Sequence, residues 1–227
     1  MNNHKLEEVL QYKFKEENLL QRALNHGSYC MEHGLGHEDS NQRLEFLGDA
    51  YFDAIVSTEL YKRMSGDEGK LSQTRAAIVC ENSLASVAER LGVGTYLNLG
   101  RGEEHAGGRK KKSLQADAVE AIVGAIFLDG GYEEAERFVL REFESIINQA
   151  IEGKLVLDYK TRVQEEFQKS GKKVTISYEL DKATGPDHDK TFYVHLTCNG
   201  KTYGSGMGKT KKEAEQQAAK ATIEGGI

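Results

Sequence analysis

The segment Asn41–Ala50, NQRLEFLGDA, predicts a helix that carries two acids beside an apolar face. Leu44 and Leu47 recur at the spacing of one helical face. Glu45 and Asp49 lie four residues apart, so about one helical turn separates them and their carboxylates share a side of the helix. Such a pair is costly unless solvent, a basic residue or a cation neutralises it.

A second acidic pair lies in the segment Leu114–Gly131, LQADAVEAIVGAIFLDGG. Asp117 and Glu120 are three residues apart, and therefore also share one helical face. The residues around them are small enough for another helix to pack closely, namely Ala116, Ala118, Ala121, Gly124 and Ala125. We expect the two helices to meet along these faces and to bring four carboxylates together.

The four acids allow two interpretations. They could be solvated or paired with Arg43 or Arg75, as acids on a helix surface often are. Alternatively, they could hold a hard divalent cation such as Mg²⁺, which prefers oxygen ligands and keeps several waters. A zinc site is not indicated, because the cysteines are scattered. A di-iron bundle would need Glu-x-x-His pairs, which these helices lack.

The spacing of apolar residues is helical from the first residues to about residue 157, with no strand-like alternation. This front part is predicted to be all-α. Its clearest predicted helices are Arg43–Met64, Ser72–Leu91, Leu114–Leu128 and Glu133–Ile151.

The pattern changes after the segment EGKLVLDYKT. Tyr159–Ser170 and Thr210–Ile223 are predicted helices, and three alternating stretches between them are predicted strands: VTISYEL, FYVHLTC and KTYGSGMG. The order α-β-β-β-α predicts an antiparallel sheet backed by two helices. We therefore divide the chain into a helical domain (1–152), a linker (153–157) and a small α+β domain (158–227).

Composition favours a reduced, cytoplasmic protein. The chain has 227 residues and a net charge of −6; it contains no apolar run long enough for a membrane span and no signal-like start. Three scattered cysteines indicate free thiols. The charge is divided unevenly, since residues from Asp158 onward carry 12 Lys and Arg against 10 Asp and Glu, and the preceding residues 18 against 26. The acidic total thus does not exclude a local basic surface.

The start of the last helix is suited to an anion. Thr210 and Glu213 have the spacing of a capping box. Lys209, Lys211 and Lys212 surround the start of this last predicted helix (Thr210–Ile223, numbered α11 below), where cations oppose the helix dipole. We call them the α11 lysines. A bound phosphate would offset this cost. A solvated run of charges is the simpler alternative.

The small α+β domain has two further features that we predict to be polar and exposed. The Gly-Pro186 turn between two strands would present His188 at its tip. One face of the helix from Tyr159 carries Thr161, Gln164 and Glu165. Taken singly, each is explained as well by an ordinary turn or a solvated face.

Together, DYKTRVQEEFQ, GPDHDKTFYV and GKTKKEAEQQAA resemble a double-stranded RNA-binding domain over its whole length. The resemblance implies that Thr161, Gln164, Glu165 and His188 belong to surfaces that contact minor grooves, with Gln164, Glu165 and the His188 turn on ribose hydroxyls. It implies that the α11 lysines contact the phosphates between those grooves. Such domains recognise the A-form shape over about 16 base pairs and little sequence.

The front part resembles bacterial ribonuclease III in NQRLEFLGDA, EGKLSQTRAAIV, GRGEEHAGG and ADAVEAIVGAIFLDGG. The resemblance implies a homodimeric Mg²⁺-dependent endonuclease, with Mn²⁺ as a plausible substitute, that leaves 5′-phosphate and 3′-hydroxyl ends with a short 3′ overhang. It would act on ribosomal RNA precursors and some messages. It assigns catalysis and metal binding to one set of four residues: Glu45, Asp49, Asp117 and Glu120.

The same resemblance covers further positions. Glu68 and Glu103 match additional acidic positions, whereas Gln42 stands where the family often has an acid. Phe46 matches a residue that enters a socket on the partner subunit, although an ordinary core Phe is an equal alternative from sequence. The competing hypothesis is a non-catalytic RNA-binding protein whose helical domain only dimerises. That hypothesis does not explain why the chain carries four acids in these two segments.

Overall fold

The structure is a computed structural model that describes residues 3–155, 159–168, 174–186 and 190–226, without the side chains of Asn3, Thr161 and Glu165. These residues form two compact units, one before and one after the segment 156–158. The first unit is helical and the second combines an antiparallel sheet with helices, which confirms the predicted fold class. The limits of 1–152, 153–157 and 158–227 stay a prediction. None of the described helices is long and apolar enough to cross a membrane.

The first unit contains long helices at three of the four predicted positions named above, with shorter helices between them. We number them in chain order: α1 (Asn3–Leu10), α2 (Glu17–Ala23), α3 (Gly27–Glu32), α4 (Gln42–Arg63), α5 (Glu68–Ile78), α6 (Glu81–Leu91), α7 (Arg101–His105), α8 (Lys112–Gly130) and α9 (Tyr132–Ile151).

One helix prediction in this unit is wrong. Ser72–Leu91 is not continuous, because α5 ends at Ile78 and α6 begins at Glu81. Cys80 between them has an extended backbone, with φ −76° and ψ 154°. The hydroxyl of Ser83 donates to the carbonyl of Ala77 at 3.1 Å, which satisfies an acceptor that the end of α5 leaves free. The break contains neither Gly nor Pro, so the apolar pattern crosses it unchanged.

Helix α8 lies at the centre of the first unit. Nine of its residues are buried, and a helix that is apolar on all sides is one surrounded by other helices. Helices α4 and α8 approach most closely at two glycines. A Cβ on Gly48 would lie 2.6 Å from the Glu120 carbonyl carbon and 2.9 Å from the Gly124 nitrogen. One on Gly124 would collide with the Leu44 carbonyl oxygen.

The second unit is built from α10 (Tyr159–Gln168), β1 (Ile176–Thr184), β2 (Thr191–Cys198), β3 (Lys201–Gly208) and α11 (Lys211–Glu224). The strands are antiparallel in the order β1-β2-β3. The buried residues Val194, Leu196 and Cys198 alternate along β2, as predicted. Alternation along VTISYEL places Leu180 on the same face as Ile176 and Tyr178. Leu180 keeps that register, opposite the buried Val194, yet it is 46% exposed. The register shifts only after it, between Leu180 and Lys182.

Candidate functional site

The contact between α4 and α8 brings three carboxylates together. Glu45, Asp117 and Glu120 each offer one oxygen, and these oxygens all lie within 4.8 Å of one another. We call these residues the carboxylate cluster. Each is partly buried. The cluster depends on Gly48 and Gly124, because a side chain at either position would push the two helices apart.

The electrostatics of the cluster favour an added positive charge. Burial and the nearby charges of Asp49, Glu45, Asp117 and Asp53 raise the pKa of Glu120 from 4.5 to about 8. Burial is also the largest cause that raises the pKa of Glu45 and that of Asp117. Like charges in a desolvated site disfavour ionisation, and a bound cation would reverse that effect.

The donor set fits a hard divalent cation. The ligands are carboxylate oxygens, which Mg²⁺ prefers, and a few of them leave room for water and substrate phosphate. No ion pair joins a described basic residue to the cluster. Arg75, an expected alternative partner, instead lies 3.8 Å from Asp53. The salt-bridge interpretation is therefore not supported for these three acids in the described part of the chain.

Asp49, the fourth predicted acid, lies at the edge of this group. Its side chain is exposed, and its oxygens are not among those that converge within 4.8 Å. Its charge nevertheless raises the pKa of Glu45 and Glu120. The structure thus places Asp49 within electrostatic range of the cluster but outside its closest contacts.

Sequence reasoning missed Asp53. It follows Asp49 by four residues, so it extends the acidic face of α4 by one turn. Its charge also acts on Glu120. The repeat Glu45-Asp49-Asp53 was the signal that could have found it.

The two accessory acids are separate from the cluster. Glu68 is exposed in the first turn of α5 and accepts a hydrogen bond from Ser72 at 3.0 Å. Glu103 in α7 accepts from the Lys111 ammonium at 2.5 Å. That hydrogen bond is the main cause that lowers the pKa of Glu103.

Gln42 and Phe46 are both exposed on the first turns of α4. Phe46 is 79% exposed, which excludes the alternative of an ordinary core residue. The Phe46 ring is therefore accessible to contact with another molecule. Gln42 is the first residue of α4.

The basic loop before α8 is engaged in local contacts. Arg109 pairs with Glu104 at 2.7 Å and donates to the carbonyls of Gly94 and Thr95. Lys112 donates to Asn82 at 2.7 Å. These contacts stabilise the loop that leads into α8.

His26 has a structural role as a helix cap. It is the N-cap residue of α3, where its Nδ1 accepts from the Ser28 backbone nitrogen at 3.2 Å. The Ser28 hydroxyl in turn accepts from the Gly100 nitrogen at 2.9 Å. These bonds tie the start of α3 to the start of α7.

The predicted RNA-contacting residues of α10 are only partly described. Gln164 is exposed on α10. Thr161 and Glu165 lie on the same helix, but their side chains are outside the described set, and His188 lies outside the described residues altogether.

The start of α11 has the predicted cap with one difference. The Thr210 hydroxyl accepts from the Glu213 nitrogen at 3.1 Å. The Glu213 carboxylate accepts from the backbone nitrogen of Lys209 at 2.7 Å, whereas a capping box predicts the nitrogen of the cap residue Thr210. The α11 lysines are all exposed around this helix start, where backbone N–H groups and side-chain cations can meet an anion.

Comparison with known proteins agrees with this geometry. Residues 16–147 match the Ribonuclease-III-like family, and residues 159–225 match the double-stranded RNA binding motif. Ribonuclease 3 of Treponema denticola is 47% identical over 93% of this chain and 86% of its own. Ribonuclease 3 of Desulforamulus reducens is 48% identical over 96% of this chain and 88% of its own.

A solved structure, the nuclease domain of ribonuclease III from Campylobacter jejuni, is also similar. It is 43% identical and superimposes with a TM-score of 0.59 over 63% of this chain and 97% of the other. That structure shows flexibility in a region involved in dimer formation of the Campylobacter jejuni nuclease domain. Two matched domains, and relatives that align along nearly the whole chain, agree with the two-unit fold. This chain therefore belongs to the ribonuclease III family, the endonucleases that act on double-stranded RNA.

Proposed function

We propose that the protein is a Mg²⁺-dependent homodimer that cuts both strands of double-stranded RNA, with Mn²⁺ able to replace Mg²⁺. The products would carry 5′-phosphate and 3′-hydroxyl ends with a short 3′ overhang, and the substrates would include ribosomal RNA precursors and some messages. The observation that carries the proposal is the convergence of Glu45, Asp117 and Glu120 within 4.8 Å.

The catalytic assignment covers the cluster together with Asp49. When bound, a divalent cation supplies a Lewis acid for the phosphate and lowers the pKa of water. Glu45, Asp117 and Glu120 would hold that ion. Asp49, which is exposed beside the cluster, would complete the catalytic set. Glu68 and Glu103 are assigned accessory roles, since neither belongs to the cluster.

The second unit would supply affinity for the duplex. The face of α10 with Thr161, Gln164 and Glu165 and the turn at His188 would contact minor grooves. The α11 lysines would contact phosphates. Support comes from the matched motif over residues 159–225 and from the exposed lysines at a capped helix start.

Phe46 would form part of the dimer contact. It is 79% exposed, and a groove of about 470 Å³ lies between α4 and α5 on the same unit. Leu60, Tyr61 and Leu71 are among the residues that line the groove. Their apolar surface suits an aromatic ring from a second copy of the chain. Sedimentation of the Phe46→Ala variant should show a weaker dimer than the native chain.

The Glu120→Gln variant tests the catalytic assignment. It keeps the shape of the side chain but cannot carry the ligand charge, so we expect cleavage of a defined duplex in Mg²⁺ to fall by at least about a hundredfold. RNA binding, measured in Ca²⁺ or EDTA, should be unchanged. Mapping both product ends on each strand tests the end chemistry.

Glu104→Gln is the matched control, because Glu104 is an exposed acid that pairs with Arg109 away from the cluster. It should cut at the native rate. If Glu120→Gln cuts as fast as this control, Glu120 is not a ligand and the assignment is wrong.

A further inference from the structure

We infer that Asn25 is a positioning residue for the proposed metal centre, because it clasps the start of α4 and thereby holds Glu45 in place. The inference rests on the proposed function, since it requires Glu45 to be a ligand of Mg²⁺. Asn25 lies outside both acidic segments and acts on the carboxylate cluster only through the backbone of α4.

The start of α4 lacks a cap of its own. The N-cap residue is Asn41, and among the described residues its side chain makes no capping hydrogen bond to the helix. A helix end without such a cap leaves backbone N–H groups unpaired and frays readily. Glu45 lies in the first turn of this helix, and its backbone nitrogen donates to the Asn41 carbonyl at 2.8 Å. Fraying at Asn41 would therefore displace a member of the carboxylate cluster.

Asn25 supplies the missing support from another part of the chain. Its backbone carbonyl accepts from the Asn41 nitrogen at 2.8 Å. Its side-chain Nδ2 donates to the carbonyl of Asp39 at 3.0 Å, two residues before the helix cap. These two bonds fix the path of the backbone into α4, and both depend on one residue that is only 4% exposed.

Asn25 is itself anchored to the segment before α7. Asn25 and Asn98 form a parallel backbone bridge. The Asn98 nitrogen donates to the Leu24 carbonyl at 2.8 Å, and its carbonyl accepts from the His26 nitrogen at 3.0 Å. The side-chain Nδ2 of Asn98 donates to Asn25 Oδ1 at 2.9 Å. The buried amide of Asn25 therefore serves as both donor and acceptor, which fixes its orientation and the separation of the segments that it joins.

A metal centre gives this clasp a purpose. Ligands must be held within about 0.5 Å of their working geometry by the groups that support them. The contact of Gly48 with α8 sets the distance between the two helices, but Glu45 precedes Gly48 and lies toward the free end of α4. Asn25 secures that end. Groups that orient metal ligands typically change metal affinity by about ten- to one-hundredfold.

The test combines calorimetric titration of the full chain with Mg²⁺ and hydrogen exchange of the metal-free chain. Asn25→Ala removes both side-chain bonds, whereas Asn25→Asp keeps the acceptor and loses the donor to Asp39. We expect both folded variants to bind Mg²⁺ at least about tenfold more weakly, although the added charge of the Asp variant would by itself favour a cation. The backbone amides of Asn41 and Glu45 should exchange about tenfold faster, because the helix start opens more readily. Asn98→Ala, which leaves the bond to Asp39 intact, should show smaller changes in the same direction.

Ser83→Ala is the matched control for a general loss of stability. Its buried hydroxyl donates to the Ala77 carbonyl at 3.1 Å, at the break between α5 and α6. The variant should unfold at a lower urea concentration, with native Mg²⁺ affinity and native exchange at Glu45. If the folded Asn25 variants lose no more Mg²⁺ affinity than Ser83→Ala, Asn25 is an ordinary structural residue and the inference is wrong. Failure of the native chain itself to bind Mg²⁺ would instead refute the proposed function.

Discussion

The Gly48→Ala variant tests whether the close approach of α4 and α8 creates the metal site. The added methyl group would lie 2.6 Å from the Glu120 carbonyl carbon and 2.9 Å from the Gly124 nitrogen. The nearest atom, the Glu120 carbonyl oxygen, would overlap with the methyl group. Carbon atoms pack best at about 3.5–4.0 Å, so the helices would have to separate by more than about 1 Å. These neighbours are backbone atoms, which cannot rotate out of the way.

The expected loss of stability follows from two opposing effects. Overpacking a core costs about 1–3 kcal/mol, and a clash with backbone puts this site near the upper end. Replacing Gly by Ala inside a helix returns about 1 kcal/mol through helix propensity. We therefore expect a net loss of about 2 kcal/mol in the free energy of unfolding, together with weaker Mg²⁺ binding because Glu120 moves with its backbone.

Urea denaturation and calorimetric titration with Mg²⁺ measure the two effects. Gly102→Ala is the control, since a Cβ at Gly102 meets no atom within 4 Å; it should change stability by no more than about 0.5 kcal/mol. If Gly48→Ala equals this control in both stability and Mg²⁺ affinity, the helix contact does not create the site.

Three further predictions concern pH, salt and a buried acid. The pKa of Glu120 is about 8 in the folded protein, against an ordinary value of 4.5, so the metal-free fold binds an extra proton between these limits and its stability should fall as pH rises from about 4.5 to 8. Screening limits the loss in the free energy of unfolding to about 1–2 kcal/mol. Thermal melts across this pH range measure the loss, and an equal pH dependence in Glu120→Gln would contradict the prediction. Replacing the α11 lysines by Gln should reduce the salt dependence of RNA affinity by about one unit of slope per lost contact, and an unchanged slope would remove them from the phosphate contacts. Glu142 is buried and pairs with Arg90 at 2.7 Å and Arg141 at 2.6 Å, so Glu142→Gln should lower the free energy of unfolding by about 2 kcal/mol, whereas an unchanged urea midpoint would show that the pairs contribute little.

Local sequence patterns were sufficient for the fold class and most helices and strands. The spacing of Leu44, Leu47 and the small residues of α8 reports which faces are buried, because helical periodicity depends only on neighbours along the chain. The pattern failed at Cys80, where the hydroxyl of Ser83 satisfies the end of α5. It failed also at Leu180, which is 46% exposed although it lies opposite the buried Val194.

The sequence alone determined that this chain has a helical domain with paired acids and an α-β-β-β-α domain with a lysine-flanked helix start. Only the tertiary structure decided which acids meet. Glu45, Asp117 and Glu120 converge, whereas Asp49 stays outside their closest contacts. The physical reason is that helical spacing places carboxylates on a face, whereas the distance between two faces depends on the contact of Gly48 with Glu120, a contact between residues far apart in the chain.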